Sequence, residues 1–260
     1  MKKILFIDVD GTIYKSHQSL IDESISEKIK EASKSIDLFL ATGRCIPVLS
    51  ILGDAVKYFK GFVLSNGTIV IENNNVIFKE IMDKTLLKKL INEAKRINAN
   101  IALITKDNIY LTKRDEIVEM ALQPYDTDAI IEVKDYNFDL SIDYNMAWSF
   151  DHNSILDVLE ENTNGFTFFR WGEIGSDLVP IGITKAKGIE MLIKHLKQDD
   201  IITYAIGDSR NDIQMFKKVD VAICMGNGRL EAKQAATHIT EDIYNHGFEN
   251  AIDKIIGGIW

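Results

Sequence analysis

Two cysteines, three prolines and no long apolar run are found among the 260 residues of this chain. The cysteines, Cys45 and Cys224, are too few for a disulfide scaffold and lack metal-ligand spacing, so we interpret them as free thiols in a reducing compartment. No apolar stretch approaches the roughly 20 residues needed to cross a bilayer. The N-terminal run Ile4–Ile7 is also shorter than the roughly 7–15 residues of a signal-peptide core. We therefore expect a cytoplasmic protein with no membrane partner.

An excess of basic residues is also lacking, because 30 Lys and Arg face 39 Asp and Glu and give a net charge of −9. An acidic chain repels phosphate backbones, which argues against general nucleic-acid binding. A small anionic ligand would need a metal or locally placed cations. The sequence has no internal repeats and indicates no obligate protein partner. Its length and its hydrophobic fraction of 46% predict a globular chain of one or two domains.

Strand and helix patterns alternate at both ends of the chain. The apolar runs Ile4–Val9 and Ile201–Ile206 predict buried strands of a parallel sheet. A helical stripe over Ile21–Ala32 predicts a helix that follows the first of them. We therefore expect an α/β fold with a Rossmann-like, doubly wound parallel-sheet core, built from residues 1–81 and 182–260.

The pattern of strands and helices changes over residues 82–181 and predicts an inserted α+β domain. Strand pairs separated by helices over roughly 100 residues are typical of such a unit. The expected helices of the insert are Leu86–Ile97, Glu116–Leu122 and Ile155–Glu160. The expected strands are Ile101–Thr105, Ile109–Thr112, Ile130–Val133, Leu140–Tyr144, Phe166–Arg170 and Asp177–Ile181.

Pairs of carboxylates follow two of the predicted buried strands. Asp8 and Asp10 end the first strand, and Asp208 and Asp212 come directly after Ile201–Ile206. In open parallel sheets, ligands bind beyond the carboxyl ends of the strands. Carboxylates gathered there repel one another and are costly to bury unless a cation joins them. Oxygen ligands of this kind suit Mg²⁺, although Asp is also a common turn residue.

Two further segments contain residue types that can bind phosphate. Thr42, Gly43 and Arg44 follow a predicted strand, where a hydroxyl and backbone N–H groups suit phosphate oxygens; the alternative is that Thr42 caps a helix. Lys185 opens the helix that follows the insert. A cation is unfavourable at a helix N-terminus unless an anion lies beside it, so we interpret Lys185 as a functional lysine, with a solvated lysine as the alternative.

In this order, the motifs resemble the haloacid dehalogenase (HAD) superfamily of phosphatases, in particular its Cof-type subfamily with a large α/β cap. The resemblance covers nearly the whole chain, and four motifs in the right order around an insert of the right size are a specific pattern. The matching segments are Asp8-Val9-Asp10-Gly11-Thr12, Ala41-Thr42-Gly43-Arg44, Lys185, Gly207-Asp208-Ser209-Arg210-Asn211-Asp212, Ala222-Ile223-Cys224-Met225-Gly226-Asn227 and Thr240-Glu241-Asp242 followed by Gly247. The chain departs from many relatives at His246, where they carry Asp.

The resemblance implies a Mg²⁺-dependent phosphatase that hydrolyses a small phosphorylated metabolite through an aspartyl-phosphate. Asp8 would be the nucleophile and Asp10 the general acid and base, with Lys185 as a third catalytic residue. The implied metal ligands are the Asp8 carboxylate, the Asp10 backbone carbonyl and the Asp208 carboxylate, supported by Asp212. The implied phosphate and substrate contacts are Val9, Thr42, Gly43, Arg44 and Asn211.

The sequence leaves several alternatives open. A phosphomutase or phosphotransferase would use the same aspartyl-phosphate, and a non-catalytic regulator that binds a phosphometabolite would use the same fold. Lys187 could take the place of Lys185. Residues 82–181 would form the cap and govern substrate specificity, with the loop Trp171–Asp177 as a candidate contact. Aromatic residues of the insert, such as Trp148, fit a packed core better than a substrate contact.

Overall fold

Residues 1–16, 18–123 and 131–260 are described by the computed structural model of the chain. They fall into two compact units. Unit 1 consists of Met1–Gly43, Ser50–Phe78 and Thr184–Trp260, and unit 2 consists of Arg44–Leu49 and Lys79–Ile183. Unit 2 is thus largely an insertion into the sequence of unit 1.

Strands and helices alternate along most of the described chain. In chain order they are β1 (Lys2–Ile7), α1 (Glu23–Ala32), β2 (Asp37–Ala41), β3 (Gly61–Leu64), β4 (Ile69–Glu72), β5 (Asn75–Lys79), α2 (Lys84–Ile97), β6 (Ile101–Ile104), β7 (Ile109–Leu111), α3 (Glu116–Leu122), β8 (Ile131–Val133), β9 (Met146–His152), α4 (Asn153–Asn162), β10 (Phe166–Arg170), β11 (Ile174–Pro180), α5 (Lys185–Leu196), β12 (Ile201–Gly207), α6 (Ile213–Phe216), β13 (Val221–Cys224), α7 (Leu230–Ala235), β14 (His238–Ile239) and α8 (Gly247–Ile256). None of these helices is both long enough and apolar enough to cross a membrane.

The first sheet has eight strands in the order β14-β13-β12-β1-β2-β3-β4-β5. Neighbours from β14 to β3 are parallel, and β4 returns antiparallel to β3. Ile4 and Phe6 of β1 share a core cluster with Leu192 of α5, while Leu5 and Ile7 alternate onto the opposite face. The side chains of Ile4–Ile7 are all fully buried, as a strand covered on both faces requires. The predicted α/β fold with a parallel-sheet core is confirmed.

The start of α5 lies directly against the turn that follows β3. Gly67, in this turn, has a φ of +100°, and a β-carbon there would lie 2.1 Å from the carbonyl oxygen of Thr184. A β-carbon on Gly188 in α5 would lie 2.4 Å from Val63 Cγ1 of β3. Only glycine allows both approaches. This close packing fixes the position of Lys185, the first residue of α5.

Unit 2 is built on a six-stranded sheet in the order β10-β11-β9-β6-β7-β8. Its strands pair antiparallel, except that β7 and β8 are parallel. One core cluster joins the sheet to α2 and α4 through Leu90, Leu103, Ala147, Leu159 and Leu178. Unit 2 is therefore an α+β unit with a hydrophobic core of its own.

One predicted strand of unit 2 is wrong. The segment Leu140–Tyr144 begins with turns, because the Asp139 side chain accepts a hydrogen bond from Ser141 N at 2.8 Å and the Asp139 carbonyl accepts one from Ile142 N at 3.2 Å. Local bonds of this kind compete with strand pairing. The strand is instead β9, a few residues later, which pairs with β11 and β6.

The predicted strand Ile130–Val133 corresponds to β8, which covers Ile131–Val133. Its first predicted residue, Ile130, lies outside the described residues.

Candidate active site

The loop that leaves β1 winds around a single carbonyl group. Asp8 N donates to a carbonyl of β12 at 3.0 Å and so continues the strand pairing past the end of β1. The Val9 carbonyl then accepts hydrogen bonds from the three N–H groups of Thr12–Tyr14, at 3.2, 2.9 and 2.9 Å. The Val9 side chain is fully buried, whereas Asp10 is exposed. This winding holds Asp8 inside and turns Asp10 outward.

Gly11 brings this loop against the second carboxylate motif. Its φ is +73°, and a β-carbon at this position would lie 2.5 Å from Asp208 Oδ2. Asp208 directly follows β12, the parallel neighbour of β1. The two motifs therefore meet at the shared carboxyl edge of β1 and β12, as expected for parallel strands.

Asp212 uses both of its oxygens to position other groups. Its Oδ2 accepts from the backbone N–H groups of Asp208 and Ser209, each at 2.9 Å. Its Oδ1 accepts from Lys185 Nζ at 2.7 Å. The Asp212 side chain is fully buried, and its hydrogen bonds stabilise the loop that follows β12.

Lys185 bridges two carboxylates from different strand ends. Its Nζ lies 2.7 Å from Asp8 Oδ1 as well as 2.7 Å from Asp212 Oδ1, and the side chain is fully buried. Burial alone would lower the pKa of Lys185, but the attraction of Asp212 and Asp8 outweighs it and raises the pKa above the usual value. Lys187 instead has a 39% exposed side chain, 4.0 Å from Glu190. The structure thus brings Lys185, and not Lys187, to the carboxylates.

With all groups ionised, three carboxylates and one ammonium would give this cluster an excess of negative charge. Among the described residues, ligand atoms of Asp8, Asp208 and Asp212 all lie within 4.8 Å of one another, and the Asp10 carboxylate is not part of the group. Burial, followed by repulsion from Asp212, raises the pKa of Asp8 to about 7. Burial, followed by repulsion from Asp8, raises the pKa of Asp208 to about 9.

The carboxylate cluster also contains an unsatisfied oxygen. Asp208 Oδ1 is buried and has no hydrogen-bond partner. A buried carboxylate oxygen without a donor is costly unless a cation or another donor reaches it. The donor set is oxygen only, which is the chemistry that Mg²⁺ prefers. The residues therefore fit a hard divalent cation.

Thr42 and Gly43 follow β2 at the same edge of the sheet. Thr42 is fully buried, and its carbonyl accepts from Asn66 N at 3.0 Å. The alternative that Thr42 caps a helix is wrong, because the next helical segment is a 3₁₀ turn that starts at Ile46 and is preceded by Cys45 as its cap.

Arg44 is the first residue of a segment of unit 2, whereas Gly43 ends a segment of unit 1. Its Nη1 donates to the Val48 carbonyl at 3.1 Å, and the residue is 7% exposed. Of the three residues predicted in this motif, only Thr42 and Gly43 belong to the unit that carries the carboxylates.

Asn66, the hydrogen-bond partner of Asn211, was not predicted from the sequence. Asn211 Nδ2 donates to Asn66 Oδ1 at 3.0 Å. Asn66 is fully buried and has a left-handed backbone with φ of 54°, and the neighbouring Ser65 Oγ is buried without a partner. The signal that could have identified this turn is Ser65-Asn66-Gly67 directly after a buried apolar strand, because polar side chains at strand ends line ligand sites in parallel sheets.

The chain matches a known class of hydrolases over most of its length. The profile of the haloacid dehalogenase-like hydrolases matches residues 5–252. The chain belongs to this family, which confirms the resemblance seen in the motifs.

Similar proteins agree with this assignment. YkrA of Bacillus subtilis (strain 168), provisionally named a phosphatase, is 29% identical over 263 residues and 97% of each chain is covered. The 5-amino-6-(5-phospho-D-ribitylamino)uracil phosphatase YcsE of the same organism is 25% identical over 252 residues, with 96% of this chain and 94% of YcsE covered. A solved HAD subclass IIB sugar phosphatase superimposes with a TM-score of 0.86 at 23% identity over the whole of both chains, which supports the fold. The expected enzyme class, a phosphatase, is confirmed.

Proposed function

We propose that this chain is a Mg²⁺-dependent phosphatase that hydrolyses a small phosphorylated metabolite through an aspartyl-phosphate on Asp8. The observation that carries the proposal is the buried Asp8–Lys185–Asp212 bridge beside Asp208, at the carboxyl edge of two parallel strands. A phosphate ester brings two negative charges to a nucleophile that is itself an anion. The ammonium of Lys185 and a bound cation supply the positive charge that such a meeting requires.

The two carboxylates of the β1 loop have different tasks because their surroundings differ. An Asp8 oxygen attacks phosphorus and forms a P–O bond, while the bond from phosphorus to the leaving oxygen breaks and Asp10 donates a proton to that oxygen. Asp10 then takes a proton from a water molecule, whose oxygen attacks the phosphorus of the aspartyl-phosphate. Inorganic phosphate and the free Asp8 carboxylate are released. The exposure of Asp10 suits a group that exchanges protons with leaving group and water.

The carboxylates of Asp8 and Asp208 and the main chain at Asp10 would hold Mg²⁺. When bound, the ion neutralises phosphate charge and stabilises the charge that develops during transfer. Asp212 would support this arrangement through the backbone of Asp208, because its own oxygens already accept hydrogen bonds. The residues proposed to contact phosphate or substrate are Val9, through its main chain, Thr42, Gly43, Arg44 and Asn211.

We further propose that residues 82–181 serve as the cap and select the substrate, and that residues 1–81 and 182–260 form the catalytic core. The insert has its own sheet and core, so it can vary without disturbing the carboxylate cluster. YcsE is named for a ribitylamino-uracil phosphate and the structural neighbour for sugar phosphates. A small phosphorylated metabolite with a polar carbon skeleton is the substrate class that agrees with both.

The experiment is phosphate release from a panel of sugar phosphates, polyol phosphates, nucleotides, phosphorylated cofactors and p-nitrophenyl phosphate, with Mg²⁺ or with chelator. We expect metal-dependent release that Asp8→Asn lowers at least about 10³-fold, since it removes the nucleophile. The matched control is Asp54→Asn, whose side chain is 96% exposed in a weak pair with Lys57. Release that survives in Asp8→Asn, or that needs no metal, contradicts the proposal. Transfer of phosphate to an added alcohol in preference to water would indicate a phosphotransferase.

A further inference from the structure

Two asparagine side chains join the turn after β3 to the loop after β12. Asn211 Nδ2 donates to Asn66 Oδ1 at 3.0 Å, although 145 residues separate the two positions. Both residues belong to unit 1. The strands that precede them, β3 and β12, are separated in the sheet by β2 and β1. The pair therefore connects two loops whose own strands do not hydrogen-bond to each other.

Asn66 offers its amide oxygen from a fixed position. The side chain is fully buried, and the backbone is left-handed with a φ of 54°. Its N–H donates to the Thr42 carbonyl at 3.0 Å. The next residue, Gly67, lies so close to the start of α5 that a β-carbon would be 2.1 Å from the Thr184 carbonyl oxygen. Contacts on both sides thus hold the turn in place.

The hydrogen bond to Asn66 determines which atom of Asn211 remains available. An amide has two N–H donors on its nitrogen and an acceptor oxygen on the other side. Nδ2 faces Asn66, and among the described residues the buried Oδ1 has no hydrogen-bond partner. Ser65 Oγ, in the same turn as Asn66, is also buried and lacks a partner in the described chain. A buried acceptor is costly to leave unpaired, so a ligand that donates to Oδ1 would gain affinity.

The chemistry of that ligand follows from what Asn211 Oδ1 needs. Neither a phosphate dianion nor a divalent cation carries a hydrogen that it can donate. A hydroxyl on the carbon skeleton of the substrate donates to an amide oxygen, and its own oxygen can accept from a hydroxyl such as that of Ser65. Asn211 directly precedes Asp212, whose Oδ1 accepts from Lys185 Nζ at 2.7 Å. The donating hydroxyl must therefore be close to the phosphate in the substrate.

We propose that Asn66 is a positioning residue that orients the amide of Asn211, so that Oδ1 accepts a hydrogen bond from a substrate hydroxyl on the carbon next to the phosphorylated one. This inference rests on the proposed function and narrows its substrate class to phosphate esters with a neighbouring hydroxyl. Asn66 itself contacts neither phosphate nor substrate and acts through Asn211.

The test compares glycerol 3-phosphate with 3-hydroxypropyl phosphate, which lacks only the hydroxyl on carbon 2. We expect the wild type to prefer glycerol 3-phosphate at least about 10-fold in kcat/KM, because the analogue leaves a buried acceptor unpaired. Asn66→Gly keeps the left-handed backbone without strain and removes the amide, so the preference should fall below about 3-fold. Any difference in intrinsic reactivity between the two esters is the same for both proteins and cancels. A preference that is equal in the two proteins, or absent from the wild type, overturns the proposal.

A double variant shows whether Asn66 acts through Asn211. Asn211→Ala should lower the preference as Asn66→Gly does, and the double variant should lower it no further than Asn211→Ala alone. Losses that multiply in the double variant overturn the proposal. The matched control is Asn74→Gly in the turn between β4 and β5, where the residue is exposed and has a φ of 65°. It should change kcat/KM for either ester by less than about 2-fold. If the preference also falls in Asn74→Gly, a specific role of Asn66 is refuted.

Binding measurements separate this inference from the proposed function. A wild type that releases phosphate from no compound refutes the proposed function. The affinities of the two esters, measured by calorimetry with Mg²⁺ present, then decide the role of Asn66. Binding of glycerol 3-phosphate that is at least about 10-fold tighter, and that loses this advantage in Asn66→Gly, supports the inference, whereas equal affinities overturn it. A wild type that hydrolyses both esters equally well retains the proposed function and refutes the inference.

Discussion

Replacing Lys185 by Met removes the ammonium that bridges the buried carboxylates and keeps most of the side-chain volume. In the wild type the ammonium lies 2.7 Å from both Asp8 and Asp212 and is fully buried. The variant leaves these two carboxylates, with Asp208 beside them, without a positive charge. Loss of one partner from a buried ion pair costs about 3–5 kcal/mol, because an uncompensated charge remains. We expect a loss of this size in the free energy of unfolding of metal-free protein near pH 8.

The loss should shrink as the pH falls. Burial and repulsion from neighbouring carboxylates, Asp212 for Asp8 and Asp8 for Asp208, hold the pKa values of Asp8 and Asp208 at about 7 and about 9, above the usual value near 4. The folded state therefore binds more protons than the unfolded chain above about pH 4, and stability falls as the pH rises. Without Lys185 these pKa values rise further, so the variant has the steeper fall with pH. At pH 5 Asp8 and Asp208 are largely protonated in both proteins, so the difference between the two proteins is smaller than at pH 8.

The assay is urea unfolding followed by circular dichroism at pH 5, 6, 7 and 8 in the presence of chelator. Lys187→Met is the matched control, since Lys187 lies two residues away with a 39% exposed side chain. It should cost less than about 0.5 kcal/mol at every pH. A loss below about 1 kcal/mol for Lys185→Met at pH 8, or a loss that grows toward pH 5, would refute the reasoning, because both contradict an unpaired buried charge.

Two further predictions follow from the same region. Asp208→Asn should abolish the rise in Tm that MgCl₂ produces. It should also raise the Tm of metal-free protein at pH 8, because burial and then repulsion from Asp8 raise the pKa of Asp208 to about 9, so that folding at pH 8 requires this group to take up a proton, a cost that an amide does not have. A Mg²⁺-dependent Tm shift that persists in this variant would contradict the assigned metal ligand. Gly67→Ala should lower the free energy of unfolding by about 2–4 kcal/mol, because the new β-carbon would lie 2.1 Å from the Thr184 carbonyl at a φ of +100°. Gly182→Ala is the control for this variant, because Gly182 has a φ of +86° but a β-carbon there would meet nothing within 4 Å. In urea unfolding we therefore expect only the backbone cost of about 1 kcal/mol. Equal losses of unfolding free energy in the two variants would show that the contact with Thr184 is unimportant.

The central strands of the first sheet were predictable from local sequence. β1 and β12 each contain an apolar run that leads to Asp or Gly, so their positions can be recognised locally. The failure at Leu140–Tyr144 has the opposite cause. Alternating apolar residues there satisfy the strand pattern, but the side chain of Asp139 bonds to Ser141 N and turns the chain. Which of two competing local patterns forms depended on the pairing of β9 with β6 and β11.

Within the site, the predictable residues were those in local motifs at strand ends. Asp8 and Asp208 end neighbouring parallel strands, so their meeting was expected from two local motifs. Thr42 and Gly43 were identified in the same way. Asn66 was not given a role, because its hydrogen bond to Asn211, 145 positions away, depends on tertiary packing and on no motif that the two residues share.

The sequence by itself determined the alternation of strands and helices, the family, and the edge of the sheet at which the carboxylates gather. These properties depend on apolar periodicity and on residues at strand ends, which are local. Only the tertiary structure decided that Lys185 rather than Lys187 bridges Asp8 and Asp212. The two lysines differ by two positions at the start of α5, and the rotation of that helix is set by its contact with the turn after β3. Lys185 and Asp8 are 177 residues apart, so packing alone brings them together.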